Sequence, residues 1–259
     1  MKKIIISIFV ASYLVAGVSA TDVEAKYTNK SIKIEATSKP VQNINLGFAN
    51  TTGNTKTTNL NAKYSLTHLV SGLNNEELKY IFNLSGYLTK SNGTRINEEY
   101  MATLSAEQFL VDGWLGYATF SWLKNEFKNY NNKFSIIAGV GKSIFDDGRH
   151  KVILKVGPGY NIEQYSNTQT DKSYGSINEY LEYTNKLNDI SNLYLKVGAL
   201  QNIEDVSNDY EATALLGVDF AMGGGISISL EQELAYDNLP PTGFKKSDTK
   251  SIVRVGYKF

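Results

Sequence analysis

The chain has no cysteine, only two histidines, four prolines and, beyond residue 20, no apolar run approaching the length of a membrane helix. Each absence removes a class of explanation. Without cysteine there is no disulfide framework, no zinc-thiolate site and no thiol to carry a lipid. With His68 and His150 alone, a Ser-His-acid or His-Asp hydrolase has almost no choice of base. A spanning helix needs ~20 apolar residues. If the chain crosses a bilayer it must therefore do so as a closed barrel, the other structure that satisfies every main-chain group in lipid. Neither sign of charge is in excess, 26 Lys and Arg against 26 Asp and Glu, so there is no basic face to attract nucleic acid.

The first residues predict export. Lys2 and Lys3 are followed by an apolar stretch from Ile4 to Val15 and by the small residues Val18, Ser19 and Ala20, the pattern of a cleaved signal peptide over 1–20. Its apolar stretch is too short to span a bilayer as a helix. Without the two lysines the mature chain is left with 24 basic and 26 acidic residues, a net charge of about −2. Residues 21–40 are polar and weakly patterned and read as a periplasmic lead-in. The remainder, 41–259, shows no internal boundary and reads as one domain.

What recurs from residue 41 onward is alternation with period two, the mark of strands with one apolar face. Ile44, Leu46 and Phe48 stand on alternate positions, as do Leu60, Ala62, Tyr64 and Leu66, and then Leu78, Tyr80, Phe82 and Leu84. The pattern returns at Tyr100 to Ala106, Trp114 to Trp122, Phe134 to Val140, Val152 to Ile162, Leu193 to Ala199, Tyr210 to Phe220, Ile226 to Tyr236 and Val253 to Phe259. A weaker set, Ile177, Leu181 and Tyr183, supplies the eighth of about twelve strands, an even number as in single-chain outer-membrane barrels. Seventeen tyrosines and 21 glycines supply sheet-forming bulk and tight bends. The expected fold is all-β: a closed antiparallel up-and-down transmembrane β-barrel.

Alternation alone does not say which face looks inward. A soluble periplasmic barrel binding a small apolar ligand would put the apolar set inside. Three features favour the membrane form. The segments reach the ~9–11 residues needed to cross a bilayer at a tilt. Aromatics (Tyr87, Trp114, Trp122, Tyr160, Tyr165, Tyr236, Tyr257) recur near strand ends, where an interfacial girdle would lie. Connections tend to alternate between outer loops (Ser91–Arg95, Lys124–Asn132, Glu163–Gly175, Gln201–Asn208, Asn238–Thr249) and shorter periplasmic turns (Phe109–Asp112, Phe145–Gly148, Gly223–Gly225), with Thr51–Lys56 and His68–Glu76 as exceptions. With the apolar set toward lipid, the inward positions include Glu99, Glu107, Lys151 and Glu182. The principal lumen residues are Lys63, Lys79, Lys155, Lys196, Glu231, Glu233 and Arg254.

The chain ends on Ser251 to Phe259, alternating strictly to a terminal phenylalanine. That strand resembles the signal by which outer-membrane barrels reach their assembly machinery, so the expected partners are that machinery, through the strand ending at Phe259, and outer-membrane lipid. Three further segments resemble a family of salt-induced outer-membrane proteins built on a domain of unknown function. They are Leu46-Gly47-Phe48 with Thr52-Gly53-Asn54-Thr55, Gly148-Arg149-His150 with Val156-Gly157-Pro158-Gly159-Tyr160, and Tyr236-Asp237-Asn238-Leu239-Pro240-Pro241 with Lys245 to Thr249. The resemblance covers Val41 to Phe259. It implies a barrel in the outer membrane and carries over no ligand, cofactor or catalytic residue.

Read as architecture, Gly53-Asn54 and Gly148 suit turns with positive φ. Gly157 and Gly159, flanking Pro158, predict a bend or bulge. No catalytic, cofactor or metal site is expected. Both histidines fall near periplasmic turns, and Glu204, Asp205 and Asp209 do not have the spacing of an EF-hand loop. The expectation is therefore an outer-membrane protein of structural or narrow, weakly selective channel type, without enzymatic activity, its balanced lumen charge favouring neither ion sign.

Overall fold

The computed structural model describes residues 39–52, 57–91 and 95–259. The expected signal peptide, nearly all of the lead-in and the Gly53-Asn54 turn lie outside the described residues. Twelve strands follow in order: β1 Val41–Thr52, β2 Thr57–Ser71, β3 Glu77–Ser91, β4 Arg95–Phe109, β5 Trp114–Asn125, β6 Tyr130–Asp146, β7 His150–Tyr165, β8 Lys172–Lys186, β9 Ser191–Asn202, β10 Tyr210–Gly223, β11 Ile226–Asp237 and β12 Ser247–Lys258. Each pairs antiparallel with its sequence neighbour, and β12 closes on β1 from Asn43↔Lys258 to Thr52↔Thr249. The sheet is a closed barrel with no free edge. At its terminal end Gln42 and Phe259 exchange main-chain hydrogen bonds of 3.2 and 3.0 Å.

The strands run 12 to 17 residues, longer than the patterned segments, and the connections shrink accordingly. The long connections expected at Lys124–Asn132 and Glu163–Gly175 reduce to 126–129 and 166–171, and His68–Glu76 to 72–76. The reason is that main-chain ladders continue past the point where hydropathy stops alternating. Polar side chains near a rim suit strands whose ends stand in water. The weakly patterned eighth segment is a full strand of 15 residues. Its outward row is interrupted by Glu179, which breaks the apolar signal without breaking the ladder.

The apolar set faces out. Leu46 is 57 % exposed, Leu154 40 %, Leu216 48 % and Val255 55 %. A soluble barrel with an apolar interior would bury all four. Among the girdle candidates, Trp114, Tyr160 and Tyr257 are exposed on the outer wall, and Trp122 hydrogen-bonds Asn132 there at 2.9 Å. Tyr87 and Tyr165 correct the expectation, since both are buried inside the barrel. Their parity gives the reason: each directly neighbours an outward position (Leu88, Gln164), and on a strand neighbours point to opposite faces.

The glycines around Pro158 work differently from a bulge. The β6–β7 register is the same on both sides of this point, Ile137↔Gly159 and Val140↔Val156, while the register shifts lie at the two ends of the pair. What the glycines permit is close approach. A Cβ on Gly157 would lie 2.4 Å from the Ala138 carbonyl oxygen, and one on Gly139 would lie 2.2 Å from the Val156 oxygen. Both obstacles are main chain and cannot swing aside. Gly157→Ala is therefore expected to destabilise the barrel by ~1–3 kcal/mol, the usual cost of overpacking. A lowered urea midpoint in detergent or lipid would show it, and an unchanged midpoint would refute it.

Candidate functional site

The inward rows gather a large set of charged and polar side chains, and the region they build falls into two halves. The half toward the loop end is filled. Lys133, 2 % exposed, bonds Glu163 at 2.7 Å and Glu211 at 2.8 Å. The hydroxyls of Tyr165 and Tyr174 donate to the same Glu163 at 2.5 and 2.8 Å, and Lys172 reaches Glu163 and Asp209 at 3.4 and 3.1 Å. Beside them Lys250 pairs with Glu99 at 2.7 Å, which also accepts from Asn125 at 2.8 Å. Aromatic faces complete the packing, with Lys133 over Tyr130, Lys172 over Tyr174 and Lys250 over Tyr87 at 4.6 to 5.1 Å. Burying this many charges is tolerable because almost every one is both paired and hydrogen-bonded.

Two connections at the loop end bear on this layer. The short 126–128 turn folds inward, burying Lys128 and Asn129. The 238–246 loop meets the 166–171 loop where Thr242 N–H donates to Gln169 at 3.3 Å.

Toward the terminal end the lumen opens. One cavity of about 630 Å³ is lined by Lys79, Lys151, Lys155, Glu107 and Glu182 among others, and a second of about 320 Å³ by Lys63, Glu231, Arg254 and Lys258. Tyr194 and Asn192 stand between the two, lining both. Glu107 accepts from Lys79 and Lys155, each at 2.6 Å. Lys196 lies 3.9 Å from Glu182, whose carboxylate also takes the Tyr180 hydroxyl at 2.7 Å. The Arg254 guanidinium bonds Asn61, the Tyr87 hydroxyl and Glu231, and Tyr194 donates to Glu231 at 2.8 Å.

The structure thus places Lys63, Lys79, Lys155, Lys196, Glu231, Glu233 and Arg254 on the inner wall. Glu107 joins Lys79 to Lys155, Glu231 pairs with Arg254, and Lys196 stands with Glu182. Glu233 lies 3.9 Å from Lys250. Sequence reasoning missed Lys133, Glu163, Glu211, Lys172, Asp209 and Lys250, the residues that fill the loop-end half. The signal is present: Lys133 and Glu163 each directly adjoin an outward residue, Phe134 and Ile162, and so have inward parity, but Glu163 reads as the start of a loop and Lys133 stands just outside the patterned segment that begins at Phe134.

Away from these ion-paired clusters little chemistry gathers. His150 begins β7, with its ring stacked on Tyr183 and Nδ1 2.9 Å from the tyrosine hydroxyl. His68 lies within β2 rather than in a turn. In the turn between β6 and β7, the N–H groups of His150 and Arg149 donate to Asp147, holding its carboxyl below the usual aspartate range. Gly148 takes the expected positive φ, +80°. Asp209 is engaged by Lys172 and Asn202, and among the described residues no three His, Asp or Glu side chains converge as metal ligands would.

A closed antiparallel barrel with an apolar outer wall and a charged interior is the architecture of porins and outer-membrane channels. The structure is similar to the NanC porin, with a TM-score of 0.58 at 8 % identity, covering 83 % of this chain and all of that one. It is also similar to an outer membrane channel from Pseudomonas putida F1, with a TM-score of 0.52 at 10 % identity, covering 90 % and 99 % of the two chains. At these identities the likeness is one of fold. Residues 44–259 match the family described as protein of unknown function, DUF481, and the chain belongs to that family. A curated relative, the uncharacterized protein YdiY of Escherichia coli (strain K12), is 26 % identical over 139 residues, a stretch that spans about half the length of each protein.

Proposed function

We propose that the protein is an exported outer-membrane barrel of structural or narrow, weakly selective channel type, shut on the loop side by its ion-paired layer and carrying no catalytic activity. The observation that carries this reading is the contrast within the lumen. Its loop-end half is packed by Lys133, Glu163, Glu211 and their tyrosines, while its terminal half holds two cavities of about 630 and 320 Å³. A wall that is apolar outside and charged inside suits lipid around and water within. Basic and acidic residues alternate in the vestibules, so a current that did pass would be weakly selective.

Conductance across planar bilayers tests this directly. The wild-type protein is expected to give no steps, or rare small ones. Truncating Tyr130 and Tyr174 to alanine, which empties the layer while leaving the Lys133 ion pairs, is expected to raise conductance severalfold. Large steady steps from the wild type, or no change in the variant, would defeat the reading of a closed layer. The weakly selective arm predicts a reversal potential near zero in a salt gradient.

A further inference from the structure

The outer wall carries two polar interruptions at the same level. Glu179 is the eighth of the fifteen residues of β8, and it is exposed on the outer face with Ile177 and Leu181 on either side along the strand. Its cross-strand neighbours are Val156 and Ala199. Among the described residues its carboxylate has no hydrogen bond or ion pair. The outward lysines do not reach this level. Lys124 pairs with Glu98 near the loop rim, and Lys142 lies over the Trp114 ring near the terminal rim. A carboxylate left facing hydrocarbon at mid-height is costly, and such residues mark a partner.

The second interruption is Gln232, the seventh of the twelve residues of β11 and directly opposite Ser251 of β12. Both face outward in a row that runs Leu230, Gln232, Leu234. Ser251 donates to the Gln232 oxygen at 2.6 Å, which turns the amide nitrogen away from that bond. The nitrogen's own contacts, to the Glu233 and Lys250 carbonyls, are long at 3.3 and 3.2 Å. A carboxylate brought alongside would displace them. One wall patch therefore offers an acceptor and the other a donor.

We infer that the protein associates with further copies of itself, the β7–β9 face of one barrel resting on the β11–β12 face of the next so that Glu179 accepts from the Gln232 amide. This rests on the membrane-spanning reading above. The small residues Pro158 and Ala199 beside Glu179 let the two walls approach closely, as small residues do between membrane segments. Because the patches differ, the contact is head-to-tail, and such contacts close into a ring when the rotation permits. Glu179 and Gln232 are three strands apart on a twelve-strand barrel, about a quarter of the circumference, so the ring closes after about four copies.

The test uses the protein extracted from membranes in mild detergent. Native mass spectrometry is expected to show a closed oligomer. Glu179→Leu and Gln232→Leu are each expected to lower its association roughly tenfold, the worth of one hydrogen bond to a charged group, while leaving a folded, heat-modifiable monomer. Glu179→Gln, which keeps an acceptor, should retain most of it. The chain has no cysteine, so Val156→Cys combined with Val253→Cys should crosslink between copies on oxidation and neither single variant should. A detergent-soluble wild-type monomer, undiminished association in both leucine variants, or crosslinking by Val156→Cys alone would overturn the inference and leave the membrane reading standing. Recovery of the protein without detergent would remove both.

Discussion

Lysine placed at Leu216 or Leu230 is expected to destabilise the barrel by ~2–4 kcal/mol, the range for a cation on a lipid-facing wall near the bilayer midplane. Leu216 is the seventh of the fourteen residues of β10 and Leu230 lies near the middle of β11, and both are about half exposed on the outer wall. The same change at Met222, near the terminal rim and more exposed still, should cost only ~0–1 kcal/mol, because there the ammonium reaches interfacial water. Urea unfolding in the presence of liposomes measures all three. In a soluble barrel the order would differ: an exposed leucine is replaced by lysine at little cost anywhere on the surface. Equal, small effects at Leu216 and Met222 would therefore contradict a lipid-facing wall.

The second large effect belongs to the interior. Lys133→Ala is expected to cost ~3–5 kcal/mol, because it leaves two carboxylates, Glu163 and Glu211, buried without their shared cation. Most of that cost is the penalty of the stranded charges rather than the worth of the pairs. Combining Lys133→Met with Glu163→Gln and Glu211→Gln should consequently recover most of the loss, since the charges are removed together and the tyrosine hydroxyls keep an amide acceptor at position 163. Unfolding free energies of the single and triple variants decide the point. A single variant within ~1 kcal/mol of wild type would mean that water already reaches this layer.

The β-barrel was legible in the sequence because its cause is local. Period-two alternation at Leu46, Leu154, Leu216 and Val255 follows from the pleat, and the direction of those residues follows from what a barrel can bury. Closure was legible from the requirement that a sheet crossing lipid leave no main-chain group unpaired. Strand length was not, since the ladders of β6 and β7 run on through residues such as Asn132 and Gln164, where both faces are polar. That error hid the layer at the loop end. Lys133 and Glu163 face each other across the consecutive strands β6 and β7, but Glu211 comes from β10, and no spacing rule brings positions 133 and 211 together before the barrel is closed. Tyr87 and Tyr165 show the same limit from the other side. They read as interfacial aromatics by composition, yet parity turns them inward to Arg254 and Glu163.

The central claim is that one wall face meets lipid and the other an enclosed polar interior. Site-directed spin labelling in proteoliposomes tests it most directly, helped by the absence of native cysteine. Labels replacing Leu46, Leu154, Leu216 and Val255 are expected to collide with dissolved oxygen and to be shielded from a water-soluble nickel chelate, while labels replacing Asn45 and Ser229 on the inner wall show weak oxygen collision. Chelate access at all four outer positions, with oxygen collision no higher than on the inner wall, would contradict the account.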